Sequence, residues 1–481
     1  MKSENQVRFL VLAVVCCLWF WCCSDALGES DGNSPGQKQI EWLIGMQDLH
    51  DTGLVESYED INDANAWTFD QALAIIAFTE AGKIDEANMV LEAMQQLQAK
   101  DAKNVWVECY NAPDAGYGGC YKRVTGPIAW MVIAINYYEY RTGDCNYAPM
   151  ARVALGWLET MMYKDEPNDG RYGSLRWSAS EPNIISTEHN YDAYSAYCWR
   201  GILDSNDSYI EDANLIRDYL CSEMWGPTPG SNCCEDANVF CRGYDDPDVL
   251  ATDCQSWGVL SLGPVGPDGE EFKKSLDWLL TDENSTRTQQ DYNDRIQDVN
   301  GFKSDTSEWF DYVWVDGTEH VAAAFYSIGD DVNGAYFHNE QMGRIVGPNG
   351  GLVHSFREDE PNNITWERKN YRYNYVASVA WHYFNEVKIN PFHPVGYPGC
   401  WNCATQCHGD ADCDGDVDTG DWPAFRDGFA KSFPCEGYIA NSCGDYDHDG
   451  DIDTEDWPEF RDNFGTSPPA DCNVAGTWPP L

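Results

Sequence analysis

Basic residues are scarce in this chain of 481 residues. Its 30 Lys and Arg are outnumbered by 80 Asp and Glu, and the formal net charge is −50 at pH 7. This balance argues against nucleic acid as a partner, because contacts to phosphate are made mainly by Lys and Arg side chains. It suits instead an extracellular protein that acts on a neutral or cationic ligand.

Long apolar runs are absent after the N-terminus, where no stretch approaches the roughly 18 apolar residues that a membrane span requires. The exception is FLVLAVVCCLWFWCC at 9–23, which follows a polar start and precedes Ser24-Asp25-Ala26. A cationic start, an apolar middle and a small-x-small site are typical of a secretory signal peptide. We therefore expect residues 1–26 to be removed and the protein to be secreted.

The sequence also lacks a G-x-S-x-G elbow, the signature of one class of serine nucleophile. Cysteine, in contrast, is plentiful, with 20 residues in total. In an oxidising compartment, the cysteines after the signal peptide are expected to form disulfides. Nine of them lie before residue 390 and seven after it. Either one bridge joins the two parts or each part keeps a free thiol, for which Cys198 is the candidate.

Residues 36–392 repeat a pattern, though not a literal sequence. Each repeat begins with a polar loop that contains glycine, continues with an apolar helix-like segment, and usually adds an amphipathic one. The six loop glycines are Gly53, Gly118, Gly173, Gly243, Gly301 and Gly351. Their spacings of 65, 55, 70, 58 and 50 residues suit long helical hairpins.

The apolar segments of the repeats are 66–78, 126–138, 191–203, 252–262, 316–328 and 375–384. A helix that is apolar on most of its circumference is buried on all sides. Partner segments such as 84–99 and 209–224 show the i, i+3, i+4, i+7 stripe of a half-exposed helix. One inner and one outer helix in each of six repeats predicts an all-α fold, an (α/α)6 toroid. Another α-solenoid used for binding is the alternative.

Residues 36–392 resemble the six-hairpin (α/α)6-barrel glycosidase-like superfamily. The resemblance rests on the repeats and on four segments: WTFDQALAIIAF, STEHNYDAY, WVDGTEHVAAAF, and VASVAWHYF followed by Asn390-Pro391-Phe392. It implies that the loops entering the inner helices form one cleft. It also implies that acidic residues at those helix starts act on a glycan, and no cofactor is expected for this chemistry.

Acidic residues do stand at the predicted helix starts. Glu188 and Asp192 are four residues apart and share a helix face, while Asp70 and Asp316 belong to other hairpins. Glycoside hydrolysis needs one protonated and one ionised carboxyl group. We expect Glu188 to be the general acid, Asp70 or Asp316 to be the base, and Asp192 to tune Glu188 or hold substrate. Other acids near these segments are Glu56, Asp253, Asp311 and Glu319.

Each of these acids also has a purely structural interpretation, because acidic side chains stabilise the first turn of any helix. Aromatic and donor side chains near the same segments are expected to bind the sugar. The predicted substrate-binding residues are Trp67, His189, Tyr191, Arg176, Trp257 and Trp309. Further candidates are Trp177, Trp314, Arg242, His320 and His354. A single tryptophan is more often part of a core than a sugar platform, and a lone histidine is more often structural.

Two other functions stay open. A polysaccharide lyase on the same barrel needs a Tyr or His base, for which His189, Tyr191 and Tyr194 are available. It also needs cations to neutralise a uronate, and these are few. The alternative of another class is a non-catalytic extracellular protein that binds glycans or builds structure, in which the acids only cap helices.

The C-terminal region contains a second repeat, with a period of 35 residues. Asp at loop positions 1, 3, 5, 9 and 12 with Gly at 6 is the spacing of an EF-hand-type calcium loop. We therefore expect two Ca²⁺ ions. The predicted ligands are Asp410, Asp412, Asp414, Asp416, Asp418 and Asp421 in the first loop and Asp445, Asp447, Asp449, Asp451, Asp453 and Asp456 in the second.

Each calcium loop precedes a single helix-like segment, DWP-x-FRD-x-F. Residues 408–474 thereby resemble a dockerin, which implies a cohesin-like or cell-surface partner. Thr419-Gly420 and Thr454-Glu455 depart from the paired Ser/Thr that often contact cohesin. A Pro/Gly/Cys linker at 393–407 joins the module to the barrel. Within it, Cys400-x-x-Cys403 and Cys407 favour a disulfide clasp over zinc, because no second matching pair accompanies them.

Overall fold

The computed structural model describes residues 36–59, 64–226, 238–244, 248–264, 271–281, 285–292, 296–307, 312–355 and 373–393. The predicted signal peptide, the linker after His393 and both calcium loops lie outside these residues. Asp311 and Trp309 lie outside them as well. No helix in the described ranges is long and apolar enough to span a membrane.

The described helices alternate between inner and outer positions. In chain order they are α1 (Gln37–Gln47), α2 (Thr68–Glu80), α3 (Ile84–Lys100), α4 (Thr125–Thr142), α5 (Ala148–Glu159), α6 (Thr187–Asp204), α7 (Asp207–Tyr219), α8 (Thr252–Leu262), α9 (Lys274–Thr281), α10 (Val315–Ser327), α11 (Asp331–Ala335) and α12 (Val376–Glu386). The even-numbered helices are the inner ones. Outer helices α7 and α11 continue as π-helical turns over Leu220–Met224 and Tyr336–Gln341.

The six inner helices form a closed ring. Each packs against the next, from α2 through α4, α6, α8 and α10 to α12, and α12 packs back against α2. The inner helices are buried on nearly every face, as their all-round apolar sequence requires. Outer helices α3 to α11 each pack on the inner helix that precedes them. The predicted all-α toroid of six hairpins is confirmed.

A cycle of backbone hydrogen bonds holds the helix starts together. The first amide of each inner helix donates to a carbonyl oxygen in the loop that leads into the next inner helix. The six bonds run from Thr68 to Glu108, Thr125 to Trp177, Thr187 to Arg242, Thr252 to Ser304, Val315 to His354 and Val376 to Ser57. The first amides of a helix have no partner within it. The cycle therefore satisfies one such donor per helix and sets all six helix starts at one end of the barrel.

Three inner helices add a side-chain clamp at their fourth residue. An amide side chain there bonds both the N–H and the carbonyl oxygen of one loop residue, at 2.8 to 3.4 Å. The pairs are Gln71 with Val55, Asn190 with Leu175, and Gln255 with Phe240. These contacts fix the rotation of each helix about its own axis, and so decide which side chains face the cleft.

Two of the loop glycines are required by close backbone approach. Gly53 and Gly173 have positive φ angles of 80° and 90°. A Cβ atom at these positions would lie 2.7 Å from the Met89 carbonyl oxygen and 2.4 Å from that of Leu215, both on outer helices. Only glycine accepts both the left-handed backbone and the contact, which explains the residue in these two loops.

Short strands lie in the loops between the hairpins. β1 (Asn65–Trp67), β2 (Cys109–Asn111) and β3 (Gly116–Tyr117) form an antiparallel sheet in that order, and β4 (Arg287–Tyr292) pairs with β5 (Ile296–Phe302). Trp67 is opposite Cys109 in the register. A disulfide between Cys109 and Cys120 closes the β2–β3 segment, and Cys198 is a free thiol as predicted.

Candidate active site

The second residue of each inner helix contributes to a ring around the mouth of the barrel, here called the upper ring. Because the helix starts are equivalent in the hydrogen-bond cycle, these side chains take equivalent directions. Phe69 shows that the direction is inward. Its aromatic side chain lies 6.4 Å from that of Trp257, which belongs to α8 on the opposite side of the barrel. The upper ring consists of Phe69, Gly126, Glu188, Asp253, Asp316 and Ala377.

One helical turn further in, a second set of side chains forms the floor. This lower ring consists of Leu73, Trp130, Asp192, Trp257, His320 and Trp381. Trp130 and Trp257 are in edge contact at 5.5 Å, and His320 lies 4.3 Å from Trp381. Phe392, past the end of α12, packs 4.9 Å from Trp130 and closes the centre. The cleft thus has an aromatic floor below a rim that holds three carboxyl groups.

Glu188 and Asp253 are neighbours on the upper ring and reach the cleft surface while protein surrounds them on other sides. Burial, followed by the charge of Asp253, raises the pKa of Glu188 well above its usual range. Burial also raises the pKa of Asp253, but only to about 6, since the Cys254 amide donates to its Oδ1 at 2.7 Å. At neutral pH, Glu188 therefore keeps its proton while Asp253 is ionised.

Asp192 lies one turn below Glu188 and is 1% exposed. Neither carboxyl oxygen has a hydrogen-bond partner in the described part of the chain. Burial raises the pKa of Asp192 well above its usual range, and the charges of Glu188 and Asp253 add to the shift. The indole of Trp130 opposes the shift. Asp192 is thus a neutral carboxylic acid beneath the rim, with an O–H to donate.

Asp70 and Asp316 form a second acidic pair, on the side of the ring occupied by α12. Asp70 is the third residue of α2, is 0% exposed and faces α12 rather than the axis. Burial raises its pKa to about 8; Ser57 and Tyr375 oppose the shift and the charge of Asp316 adds to it. Asp70 holds a proton at neutral pH, so it is unsuited to the predicted role of base.

Asp316 belongs to the upper ring, as the sequence predicts for a cleft residue. Its Oδ1 lies 2.8 Å from His354 Nδ1 and accepts a hydrogen bond from Ser378 Oγ at 3.4 Å. The residue is only 3% exposed. Its position makes it a second candidate for the ionised carboxylate, on the far side of Asp253 from Glu188.

The predicted substrate-binding residues Trp67, Trp257 and Arg176 take three different positions. Trp67 caps α2 and is half-buried at the helix start, with its backbone N–H on Ser57 Oγ. Trp257 is 2% exposed and forms the floor instead of a free platform. Arg176 places its guanidinium 4.5 Å over the Tyr163 ring, and the cleft gains no cation from it.

His189 and Tyr191 flank the acidic face of α6. His189 stacks on Trp177 at 6.1 Å beside α4, and burial lowers its pKa to about 3, so the ring is neutral. Tyr191 is fully buried on the other flank, with its ring edge-on to Phe240 at 5.6 Å. Tyr191 therefore lies away from the cleft and not on its rim.

The other acids and cations near the helix starts have partners outside the ring. Glu56 lies 2.7 Å from His50 Nε2, and Arg242 pairs with Asp305 at 3.1 Å. Glu319 is turned away from the axis. The main residue that sequence reasoning did not assign to the site is Asp253. Aligning TFDQ, TEHN and TDCQ at the inner-helix starts shows Glu188 and Asp253 at one repeat position, and this signal was available in the sequence.

Comparison with known proteins supports the fold alone. No family model and no curated protein matches this chain. A solved glycosidase in complex with glucose aligns at a TM-score of 0.54 and 10% identity, covering 73% of this chain and 94% of the other. An alpha-amylase from Clostridium perfringens aligns at 0.50 and 7% identity, covering 73% and 96%. The helical barrel is therefore shared with glycosidases of unrelated sequence.

Proposed function

We propose that this protein is a glycoside hydrolase in which Glu188 is the general acid and Asp253 is the ionised carboxylate. The observation that carries the proposal is the separation of their pKa values within one ring. Two carboxyl groups in a shared buried site need different environments to take opposite roles. Burial keeps Glu188 protonated, and the Cys254 amide keeps Asp253 ionised at neutral pH.

In the proposed reaction, Glu188 gives its proton to the glycosidic oxygen as the bond from that oxygen to the anomeric carbon breaks. The positive charge that develops on the sugar ring is stabilised by the Asp253 carboxylate. Water supplies the hydroxyl group of the new reducing end, and its remaining proton is accepted by the Asp253 carboxylate and returned through solvent to Glu188. Phe69 offers an aromatic face for the sugar at the rim. Asp316 is the alternative to Asp253, and each can be replaced separately.

The substrate class follows from the charge of the rings. Neither the upper nor the lower ring contains Lys or Arg, so a uronate would meet carboxylates without cations to offset them. A neutral poly- or oligosaccharide avoids this repulsion. The names of the similar structures, a glycosidase bound to glucose and an alpha-amylase, support the same class. A lyase is disfavoured by the same lack of cations and by the burial of Tyr191.

We also propose that the enzyme is secreted and held near its substrate by the C-terminal module. The signal-like segment 9–23 and the duplicated aspartate loops at 410–421 and 445–456 support this. Two Ca²⁺ ions would order the module, which would then bind a cohesin-like or cell-surface partner. Calorimetric titration of the chelator-treated protein with Ca²⁺ tests the first step, with two equivalents expected and no binding contradicting it.

The proposed activity is tested by reducing-sugar release from a panel of neutral polysaccharides, with uronate polymers alongside. Release from at least one neutral substrate, without unsaturated products, is expected. Unsaturated products from uronates would establish the lyase instead. Variants Asp253→Asn and Asp316→Asn then assign the second carboxylate, since loss of the true partner reduces kcat far more than loss of its neighbour. Failure of the whole panel would favour the non-catalytic alternative.

A further inference from the structure

A second cluster of ionisable groups lies outside the cleft, between inner helices and an outer turn. Glu319 belongs to α10, His338 to the π-helical turn Tyr336–Gln341, and His382 and Glu386 to α12. Glu319 is three residues past Asp316 on the same helix, and this rotation turns it away from the axis and toward α12. Glu319, His338 and His382 are at most 2% exposed.

Glu319 fixes both imidazole rings. Its Oε2 lies 2.9 Å from His338 Nδ1 and its Oε1 lies 2.6 Å from His382 Nδ1. Asn385 Nδ2 donates to Oε2 at 2.6 Å. The Glu319 carboxylate thus accepts three hydrogen bonds, and it favours a proton on Nδ1 of each imidazole ring. A carboxylate that binds Nδ1–H and leaves Nε2 as a lone-pair donor is the usual support of a metal-binding histidine.

The two Nε2 atoms converge on a third potential ligand. Each lies 3.6 Å from Glu386 Oε1. That separation is too long for a hydrogen bond. A tetrahedral ion with bonds of about 2.0–2.1 Å keeps its ligand atoms roughly 3.3–3.4 Å apart, close to the two distances from Nε2 to Glu386 Oε1. His382 and Glu386 are four residues apart on one helix face, so a regular helix presents both together.

The charge of the cluster also suits a cation. Two carboxylates, Glu319 and Glu386, are gathered around two imidazoles in a largely buried site. An ion bound at the two Nε2 atoms takes the place of any proton there, and the carboxylates of Glu319 and Glu386 supply two negative charges to offset a divalent cation. The side chain of Glu386 is 32% exposed, which gives an ion a path from solvent and leaves a position for water.

We propose that His338 Nε2, His382 Nε2 and Glu386 bind one divalent transition-metal ion of the zinc class, with Glu319 orienting both histidines. Two nitrogen ligands and one carboxylate form a donor set that Zn²⁺ commonly takes. The ion ties α12 to the outer turn of the fifth hairpin, and Glu319 links both histidines to α10. The site is separate from the cleft and does not depend on the proposed hydrolysis.

The test uses the full chain, stripped with a chelator and titrated with Zn²⁺ alone. The variant is Glu386→Gln, a conservative change at a partly exposed position. Its control is Glu340→Gln, an exposed glutamate on the same outer turn. We expect the wild type and the control to bind one more equivalent than Glu386→Gln. The affinity of Glu386→Gln for Zn²⁺ at this site should fall by more than the roughly 10–100-fold that is typical when an outer-shell partner is lost. Zinc bound elsewhere cancels in this difference.

Cobalt gives a second measurement that does not require the variant to fold. Co²⁺ in this site should show visible ligand-field absorption without a thiolate charge-transfer band, and Zn²⁺ should abolish it. Equal zinc binding by the wild type and Glu386→Gln would overturn the proposal and leave a cluster held by protons alone. Absence of the cobalt signal in the wild type would overturn it too.

Discussion

Replacing Asp70 by asparagine should change how the stability of the barrel depends on pH. Asp70 is 0% exposed and its pKa is raised to about 8, chiefly by burial. The folded state therefore holds a proton that the unfolded chain releases near pH 4. Between these values, the free energy of unfolding falls as pH rises, by about 1.4 kcal/mol per pH unit. From pH 5 to pH 8 the loss reaches about 4 kcal/mol.

Asparagine removes this pH-dependent loss of stability because its side chain does not titrate. Measured by tryptophan fluorescence in denaturant, the stability of Asp70→Asn relative to wild type should rise by about 4 kcal/mol from pH 5 to pH 8. Asp85→Asn, at an exposed first-turn position of α3, is the matched control for the loss of one carboxyl group. Parallel pH curves for wild type and Asp70→Asn would refute the assignment of a buried, protonated Asp70.

Three further predictions follow from other parts of the barrel. Arg200 is 0% exposed and binds Glu139 at 2.6 and 3.0 Å, so Arg200→Met should cost about 3–5 kcal/mol. Lys122→Met, which breaks the exposed pair with Glu181, should cost less than about 1 kcal/mol, and equal losses would contradict this. Gly173→Ala should lower the thermal midpoint of unfolding because Gly173 has a positive φ and contacts Leu215. Gly156→Ala on α5 should raise the midpoint slightly, because the space around Gly156 is open. The pH profile of kcat should rise through about 6 as Asp253 ionises and fall at higher pH as Glu188 loses its proton; a profile without a limb near 6 would argue against Asp253.

The ring of helices could be predicted from the sequence because its cause is local. An inner helix is surrounded by other helices and so is apolar on nearly all faces, as in 66–78 and 126–138. Glycine in the loops was visible as a repeated residue, and the structure supplies its reason at two positions. Gly53 and Gly173 meet a carbonyl oxygen of an outer helix, and no other residue fits there.

The roles of individual acids depend on helix rotation, which the sequence does not fix. Asp70 and Glu188 both lie within three residues of a helix start, yet one residue turns a side chain by about 100°. Asp70 therefore faces α12, while Glu188 faces the cleft. The rotation is set by contacts between distant segments, such as the Thr68 amide on the Glu108 carbonyl. Boundaries inferred from sequence are not accurate to one residue.

Pairing between hairpins was only partly accessible from the sequence. Alignment of the helix starts places Glu188 and Asp253 at one repeat position, but nothing local links Glu319 to the two histidines that follow it by 19 and 63 residues. Tyr191 and Trp257 show the reverse. Their residue types suit sugar binding, but Tyr191 is needed between α6 and α8 and Trp257 in the floor.

The central claim is that Glu188 is the proton donor, and one comparison of rates tests it most directly. On the best substrate of the panel, kcat is measured for wild type, Glu188→Gln and the control Glu86→Gln, a first-turn glutamate on outer helix α3. Circular dichroism confirms that each is folded. We predict a loss of about 10²–10⁴-fold for Glu188→Gln and wild-type activity for Glu86→Gln. A folded Glu188→Gln variant with undiminished kcat would contradict the account.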